Sequence, residues 1–345
     1  MSTKPKVILD PAQRRIGEIF ADADLRRLHA MADVIWGRDD VMPEDQFLAA
    51  APDATAIICG RWRYPQALPL ATNLKAILEV GGGFPPTIDY EECYRRKIRV
   101  LSCAPAFGPQ VAEMALGMAI AAGREIVVGD SAMRSGREKW LHAGNETTFT
   151  LYGKTVGMIG YGGLARALRP LLEPFGCRVL VYDPWLGQGY LRSQGVQPVG
   201  LDELLSTCRV IFVLAVPSSE NRAMLSREKL ELIRPDAVLA LISRAHVVDF
   251  DALTDLVLAG RFRAAIDVFP VEPLPADHPI RTAPNVVLSA HRAGSVREAM
   301  TLIGEMVVDD VECVLRGLPP QRMLSAQPEL AGRYVAISAR RPDSR

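Results

Sequence analysis

The 345-residue sequence lacks the features that mark several classes of protein. Lys plus Arg and Asp plus Glu number 40 each, so the formal net charge is zero and no overall basic field attracts nucleic acid or an anionic membrane. The N-terminus has no apolar signal core, and no apolar run reaches transmembrane length. We therefore expect a soluble, cytoplasmic protein with neither a nucleic-acid nor a membrane partner.

Cysteine is scarce and shows no pairing pattern. The six cysteines form no CxxC pair, and several stand in apolar runs. This spacing favours reduced, buried thiols and supports neither a disulfide framework nor a zinc site, so we expect no bound metal. Hydrophobic residues make up 49% of the chain and charged residues 23%, which is typical of a globular protein, and the length indicates two domains.

Residues 154–183 read as a strand, a glycine turn, a helix and a second strand that ends on Asp183. The small residues of the turn have the GxGxxG/A spacing of a dinucleotide fingerprint, in which the helix N-terminus faces a pyrophosphate. The Asp183 carboxylate can accept hydrogen bonds from ribose hydroxyls and would repel a 2′-phosphate, so NAD is favoured over NADP. The predicted cofactor-binding residues of this motif are Gly160, Gly162, Gly163, Leu164, Ala165 and Asp183.

Short β-branched runs alternate with helical stretches on both sides of this motif, which indicates parallel sheets. Two long apolar helices, at 110–122 and 299–315, can carry the chain between two domains. The pattern predicts an α/β protein in which a Rossmann NAD-binding domain (123–295) is inserted into a flavodoxin-like substrate domain (1–122 and 296–345), with a cleft between them. The more polar stretch 124–150 has no clear period, and we expect a helix and a loop outside both cores.

Three further stretches stand at the ends of predicted strands, and each contains charged residues at a defined spacing. Arg244 precedes Asp249 by five residues, Glu272 follows Asp267 by five and precedes a proline, and His291 precedes a glycine by three. With these motifs in this order, residues 50–320 resemble the D-isomer-specific 2-hydroxyacid dehydrogenases, the family of D-lactate, D-glycerate and phosphoglycerate dehydrogenases.

The resemblance implies three catalytic residues, Arg244, Glu272 and His291. Imidazole suits a base that takes the hydroxyl proton near neutral pH, and a carboxylate on its other nitrogen favours the charged ring. The planar fork of Arg244 would hold the substrate carboxylate. The resemblance adds Pro217, Asn221 and Asp267 to the cofactor-binding residues, and it implies a homodimer. It assigns substrate binding to Gly82, Gly83 and Arg244. Arg61, in the loop after a predicted strand, is a further candidate for substrate binding.

Several alternatives stay open. Arg61, Arg63 and Arg292 fit solvated loops as well as substrate contacts, and His246 fits a supporting or surface group. Ala245 and Ala290 replace the family's usual glycine and proline, which leaves the substrate undetermined beyond a small 2-hydroxy or 2-oxo acid. The alternative function is a non-catalytic NAD(H)-sensing scaffold, similar to the corepressors of the same fold.

Overall fold

The computed structural model describes residues 4–334. The chain forms two compact units: the first contains residues 4–107 and 295–334, and the second contains Gly108–Gly294. No helix in the described part is long and apolar enough to cross a membrane.

The strands and helices alternate along most of the chain, as a parallel α/β architecture requires. The strands are β1 (Lys6–Asp10), β2 (Asp33–Trp36), β3 (Ala54–Cys59), β4 (Ala76–Glu79), β5 (Arg99–Ser102), β6 (Thr155–Ile159), β7 (Arg178–Tyr182), β8 (Gln197–Pro198), β9 (Val210–Val213), β10 (Val238–Leu241), β11 (Arg263–Ile266), β12 (Val286–Leu288) and β13 (Leu324–Ser325). The α-helices are α1 (Ile16–Ile19), α2 (Asp22–Met31), α3 (Glu44–Ala50), α4 (Ala67–Leu70), α5 (Tyr90–Arg95), α6 (Gly108–Gly123), α7 (Ile126–Arg134), α8 (Gly163–Leu172), α9 (Gln188–Ser193), α10 (Leu201–Thr207), α11 (Arg227–Glu231), α12 (Phe250–Leu258) and α13 (Arg297–Leu315).

The first unit is built on a sheet with the strand order β13-β5-β4-β3-β1-β2. Strands β1 to β5 are parallel and mostly buried, because helices cover both faces of such a sheet. The predicted parallel sheet is confirmed. The edge strand β13 pairs antiparallel with β5, and it is too short to give a sequence pattern. Polar side chains end neighbouring strands in register, with Asp10 beside Cys59, Cys59 beside Glu79 and Glu79 beside Ser102.

The second unit is a parallel sheet with the order β12-β11-β10-β9-β6-β7-β8, which confirms the Rossmann prediction. The order reverses at β6, which lies between β9 and β7. Ligands of such sheets bind outside the carboxyl ends of the strands at this switch point. The fingerprint turn follows β6 and therefore stands at the switch point.

Helix α6 belongs to the second unit, which begins at Gly108. The predicted domain boundary lies later in the chain, after residue 122. The helix packs against α8, β10 and β11. The last part of the first unit begins at Ser295, and the predicted domain boundaries stay predictions. Residues 335–345, which the prediction assigns to the substrate domain, lie outside the described residues.

The stretch 124–150 contains the predicted helix, α7, and none of the side chains of α7 is buried. It is anchored to the second unit at its far end: the Phe149 amide donates to the Gly123 carbonyl at 3.1 Å, and Arg263 donates to the Thr147 carbonyl at 2.8 Å. The stretch thus lies outside the core of this unit and is attached to it at its C-terminal end.

Asp310 is the polar member of the apolar stripe of α13, and it is fully buried. Its carboxylate accepts hydrogen bonds from the amides of Gln321 (2.6 Å), Arg322 (3.1 Å) and Met323 (2.7 Å). These bonds fix the segment that leads directly into β13. A single buried carboxylate therefore determines where the edge strand begins.

Asp310→Asn should lower the free energy of unfolding by about 1.5–3 kcal/mol, because an NH₂ donor replaces one of the charged acceptors. Glu298→Gln, on an exposed position of the same helix, should change it by less than about 1 kcal/mol. Urea titrations compare the two variants with the wild type. Equal stabilities of the two variants would contradict the role given to Asp310.

Candidate active site

The fingerprint turn has the shape that a pyrophosphate requires. Gly160 follows β6 with φ +88°, and a Cβ atom there would lie 2.7 Å from the Ala215 Cα, so a side chain cannot be accommodated. At Gly162 and Gly163 an added Cβ would meet nothing within 4 Å, which leaves open space before the N-terminus of α8. Ala165 is fully buried in the core of the unit. The residues present thus fit a dinucleotide at this helix end.

Asp183 comes directly after β7 and is tied to the turn. Its Oδ2 accepts the Tyr161 amide at 2.8 Å, and its Oδ1 accepts the Trp185 amide at 2.9 Å. The carboxylate has further lone pairs for ribose hydroxyls. Asp183 stands at the end of the strand next to β6, and its contact with the ribose of the cofactor stays a prediction.

The predicted cofactor-facing loop, residues 216–221, is held by two side chains. Asn221 donates through Nδ2 to the Val216 carbonyl at 2.7 Å and accepts the Ser218 amide at 2.9 Å. The ring of His246 lies with Nε2 3.0 Å from the Ser218 carbonyl. His246 is therefore a supporting group of this loop. Cofactor contacts of Pro217 and Asn221 stay predictions.

Glu272 and His291 form a hydrogen-bonded pair, with 2.6 Å between Glu272 Oε2 and His291 Nδ1. The other carboxylate oxygen accepts the Phe269 amide at 3.0 Å. Burial opposes ionisation of Glu272, but the hydrogen bond from His291, the Phe269 amide and the charge of Arg244 together lower its pKa. The carboxylate is thus ionised near neutral pH, and it holds Nδ1 of the imidazole by a hydrogen bond. The His291 side chain is 35% exposed, so Nε2 is left for a ligand.

The backbone around His291 is fixed by Asp267. The His291 amide donates to the Asp267 carbonyl at 2.8 Å, and the Asp267 carboxylate accepts the amides of Arg292 (2.9 Å) and Ala293 (3.2 Å). His291 itself has φ +52°, a left-handed conformation that is uncommon outside glycine and persists where the surroundings hold it. Asp267 is fully buried, so its observed role is to shape this turn. Its predicted contact with the nicotinamide stays a prediction.

Arg244 lies beyond the end of β10 and has spare hydrogen-bonding capacity. Nη1 donates to the Ser243 carbonyl at 2.6 Å, whereas the buried Nε has no hydrogen-bond partner among residues 4–334. Burial lowers the pKa of Arg244, and the charges of Glu272 and Asp267 oppose this effect. Since arginine stays protonated in proteins, a cation with an unsatisfied donor faces the pair.

The three predicted catalytic residues come together because they follow adjacent strands. Arg244 follows β10, Glu272 follows β11 and His291 follows β12, and these strands are neighbours in the order β12-β11-β10. The carboxyl ends of parallel strands meet at one edge, so residues distant in sequence share one site.

The predicted substrate-binding residues Gly82, Gly83 and Arg61 lie in the first unit. The amides of both glycines donate to the carboxylate of Glu79, and Arg61 Nε donates to Gln13 Oε1 at 2.8 Å. Glu79 is absent from the predicted site residues. An acidic residue that closes an apolar strand immediately before three glycines is the signal that could have indicated it. The substrate roles of these residues stay predictions.

The sheet order and the fingerprint turn define a dinucleotide-binding α/β protein. Residues 116–293 match the sequence model of the "D-isomer specific 2-hydroxyacid dehydrogenase, NAD binding domain". The solved structure of a phosphoglycerate oxidoreductase from Rhizobium etli is 34% identical, has a TM-score of 0.81, and is matched over 94% of this chain and 99% of that one. The chain therefore belongs to the D-isomer specific 2-hydroxyacid dehydrogenase family, and NAD is the cofactor that the matched domain binds.

Curated relatives agree with this membership. The D-3-phosphoglycerate dehydrogenase of Mycobacterium tuberculosis is 28% identical over 308 residues, which are 88% of this chain and 56% of that protein. The glyoxylate reductase of Korarchaeum cryptofilum is 29% identical over 260 residues, 74% of this chain and 78% of that protein. The chain thus spans just over half the length of the phosphoglycerate dehydrogenase that it matches.

The position of Asp183 leads to a test of cofactor preference. The wild type should bind NADH at least about tenfold more tightly than NADPH, because the 2′-phosphate of NADPH would repel the Asp183 carboxylate. Two like charges about 4 Å apart repel each other by about 1 kcal/mol in water and about 4 kcal/mol near a protein surface. Asp183→Asn should reduce this preference, and Asp251→Asn, an exposed aspartate of the same unit, should preserve it. Fluorescence titrations with both nucleotides measure the ratio, and equal wild-type affinities would contradict the assignment.

Proposed function

We propose that this protein is an NAD-dependent oxidoreductase that interconverts a small D-2-hydroxy acid and its 2-oxo acid. The observation that carries the proposal is the 2.6 Å contact between Glu272 and His291, with Arg244 and the dinucleotide turn at the carboxyl ends of the same sheet. Family membership supports the reaction class. The supporting relatives carry the names phosphoglycerate dehydrogenase and glyoxylate reductase.

His291 is the proposed acid and base. In reduction, its Nε2 proton passes to the oxygen on C2 of the 2-oxo acid, and in oxidation the ring takes the proton of the hydroxyl group. The nicotinamide of NAD, when bound at the dinucleotide turn, would supply or accept the hydride at C2. Glu272 holds Nδ1, which fixes the ring orientation and stabilises the imidazolium before the proton leaves.

Arg244 is the proposed substrate-orienting residue. Its cationic fork suits bidentate binding of the substrate carboxylate, and its unsatisfied Nε adds a donor whose hydrogen bond is gained only when a ligand is present. Holding the carboxylate in this way sets the position of C2 and its oxygen. Correct orientation of reacting atoms can contribute several kcal/mol to lowering a barrier, roughly 7–11 in the best intramolecular cases.

The decisive experiment follows the loss of NADH absorbance with glyoxylate, hydroxypyruvate, pyruvate and bulkier 2-oxo acids, together with NAD reduction by D-3-phosphoglycerate. With the best substrate, His291→Ala should lower kcat by roughly 10²–10⁴-fold, because the proton transfer loses its catalyst. NADH binding should change little.

His29→Ala, which removes an exposed histidine of the first unit, is the matched control and should keep full turnover. Unchanged turnover in His291→Ala would rule out its acid and base role. NADH binding without turnover of any 2-oxo or 2-hydroxy acid would instead favour the alternative, an NAD(H)-sensing scaffold.

We also propose that two copies of the chain associate through residues 124–150, which we call the docking segment. Large apolar side chains on it are exposed to solvent, and a surface of this kind is typical of protein interfaces. They are Ile126 (54% exposed), Val127 (54%), Val128 (44%), Met133 (56%), Trp140 (68%) and Leu141 (85%). A homodimer is the assembly that the sequence resemblance implies.

Sedimentation should show a wild-type dimer, and the double variant Met133→Ser/Trp140→Ser should be monomeric. Each large apolar side chain that loses its burial costs about 1.5–3 kcal/mol in each subunit. Leu70→Ser, at an exposed leucine of the first unit, should stay dimeric. A monomeric wild type, or dissociation by Leu70→Ser alone, would contradict the assignment of the interface.

A further inference from the structure

The loop that follows β4, residues 81–89, begins with the glycines that the family resemblance assigns to the substrate carboxylate. The amides of its three glycines donate to Glu79, which fixes the start of the loop. Further along, the Tyr90 hydroxyl donates to the Pro85 carbonyl at 2.9 Å. Phe84 lies between these two anchors. We call residues 81–89 the β4 loop.

The ring of Phe84 is stacked on the ring of Tyr334, the last residue that the structure describes. The two ring centroids are 4.9 Å apart, and the planes of the rings meet at 26°. Tyr334 also contacts the ring of Tyr90, with 5.2 Å between the centroids. Its hydroxyl accepts the Gln327 amide at 3.3 Å, so both the ring and the hydroxyl are held. Aromatic pairs of this geometry stabilise a contact beyond the burial of their apolar area.

Tyr334 reaches the β4 loop along a path that is fixed at each step. Asp310 of α13 accepts the amides of residues 321–323, and β13 then pairs with the edge of β5. A 3₁₀ helix, Pro328–Arg333, follows and packs against α5, the helix that comes after the β4 loop. The last part of the first unit thus supports a loop that belongs to its first part.

We infer that Tyr334 is a positioning residue of the substrate-binding loop: its ring holds Phe84, and Phe84 holds the adjoining glycines in the conformation that receives the substrate carboxylate. This role rests on the proposed function, which gives these glycines their substrate. Gly82 has φ +95°, and consecutive glycines have many accessible conformations when their neighbours are unrestrained. A ring that is fixed directly after Gly83 removes much of this freedom before the substrate arrives.

Loss of the Tyr334 ring should therefore act on substrate affinity and spare the chemical step. The apparent affinity falls in proportion to the fraction of molecules whose loop is ordered. If Tyr334→Ala lowers this fraction to roughly 10–30%, KM for the 2-oxo acid rises about 3–10-fold. Bound substrate restores the order of the loop, so kcat and the affinity for NADH stay at their wild-type values.

The first experiment measures the loop itself, by hydrogen exchange of the full chain and mass spectrometry of peptides that cover residues 81–89. Tyr334→Ala should accelerate amide exchange in these peptides by at least about tenfold, because local opening becomes more frequent. Tyr334→Phe keeps the ring and should exchange at the wild-type rate. Tyr94→Ala is the matched control, because Tyr94 contacts Tyr90 in the same aromatic cluster, at 6.4 Å. This control should leave exchange in the β4 loop unchanged.

Unchanged exchange of the β4 loop in Tyr334→Ala would overturn the inference. Faster exchange that Tyr94→Ala shares, or that Tyr334→Phe fails to reverse, would overturn it as well. If Tyr334→Ala does not fold, Tyr334→Leu takes its place, because leucine keeps apolar volume without a ring that can stack. This experiment needs neither substrate nor cofactor, so its result does not depend on the proposed reaction.

The second experiment measures steady-state kinetics with the best of the 2-oxo acids. The expected result is a KM about 3–10-fold above the wild-type value in Tyr334→Ala, at unchanged kcat, and its return to the wild-type value in Tyr334→Phe. A wild-type KM despite faster exchange would overturn the link between Tyr334 and the substrate. A wild type that turns over no 2-oxo acid would contradict the proposed function and this link with it, whereas the exchange result would still decide whether Tyr334 holds the loop.

Discussion

Hydrogen bonds from backbone amides to carboxylates fix the shape of four segments of this protein, three of which follow strands. Glu79 accepts the amides of Gly81–Gly83 after β4, and Asp183 joins the dinucleotide turn to the end of β7. Asp267 fixes the turn after β12. Asp310 does the same for the segment before β13. A buried carboxylate, such as that of Glu79, Asp267 or Asp310, is costly unless its lone pairs are satisfied, so each of these three side chains stabilises only a loop that supplies amides in the right places.

Much of the second unit follows from local patterns. The spacing of Gly160, Gly162 and Ala165 indicates the tight turn of a dinucleotide fingerprint, and Asp183 follows this turn after one helix and one strand. Arg244, Glu272 and His291 are predicted as a set through the family resemblance of their motifs. Their common location follows from the fold, because parallel strands bring the positions after successive strands to one edge. The left-handed backbone of His291 gives no comparable signal, since the bonds that hold it come from Asp267, 24 positions earlier in the chain.

Features that depend on packing could not be predicted in the same way. The sequence of helix α6 is apolar almost all round, which predicts that the helix is buried. This pattern does not indicate which elements pack against the helix, and the structure shows that α8 and β10 do. Strand β13 has two residues and no period of its own. The polar character of Asp310 is visible within the stripe of α13, but its purpose appears only when the segment 321–323 is seen around it. Asn221 and His246 likewise support a loop through contacts that no spacing rule describes.

The discontinuity of the first unit has a consequence for synthesis on the ribosome. Its sheet needs β13, and its core includes Ile303, Val307 and Val311 of α13, all of which are translated after the entire second unit. Within residues 4–334 the second unit is one stretch, Gly108–Gly294, and its described core cluster consists of residues of this stretch. Residues 4–107 therefore leave the ribosome before the second unit and complete their fold after it, with the edge of β5 and the apolar side chains opposite α13 uncovered in the meantime. Exposed edges and apolar surfaces of this kind are substrates of chaperones, so the order of the two units along the chain creates a period of dependence on them.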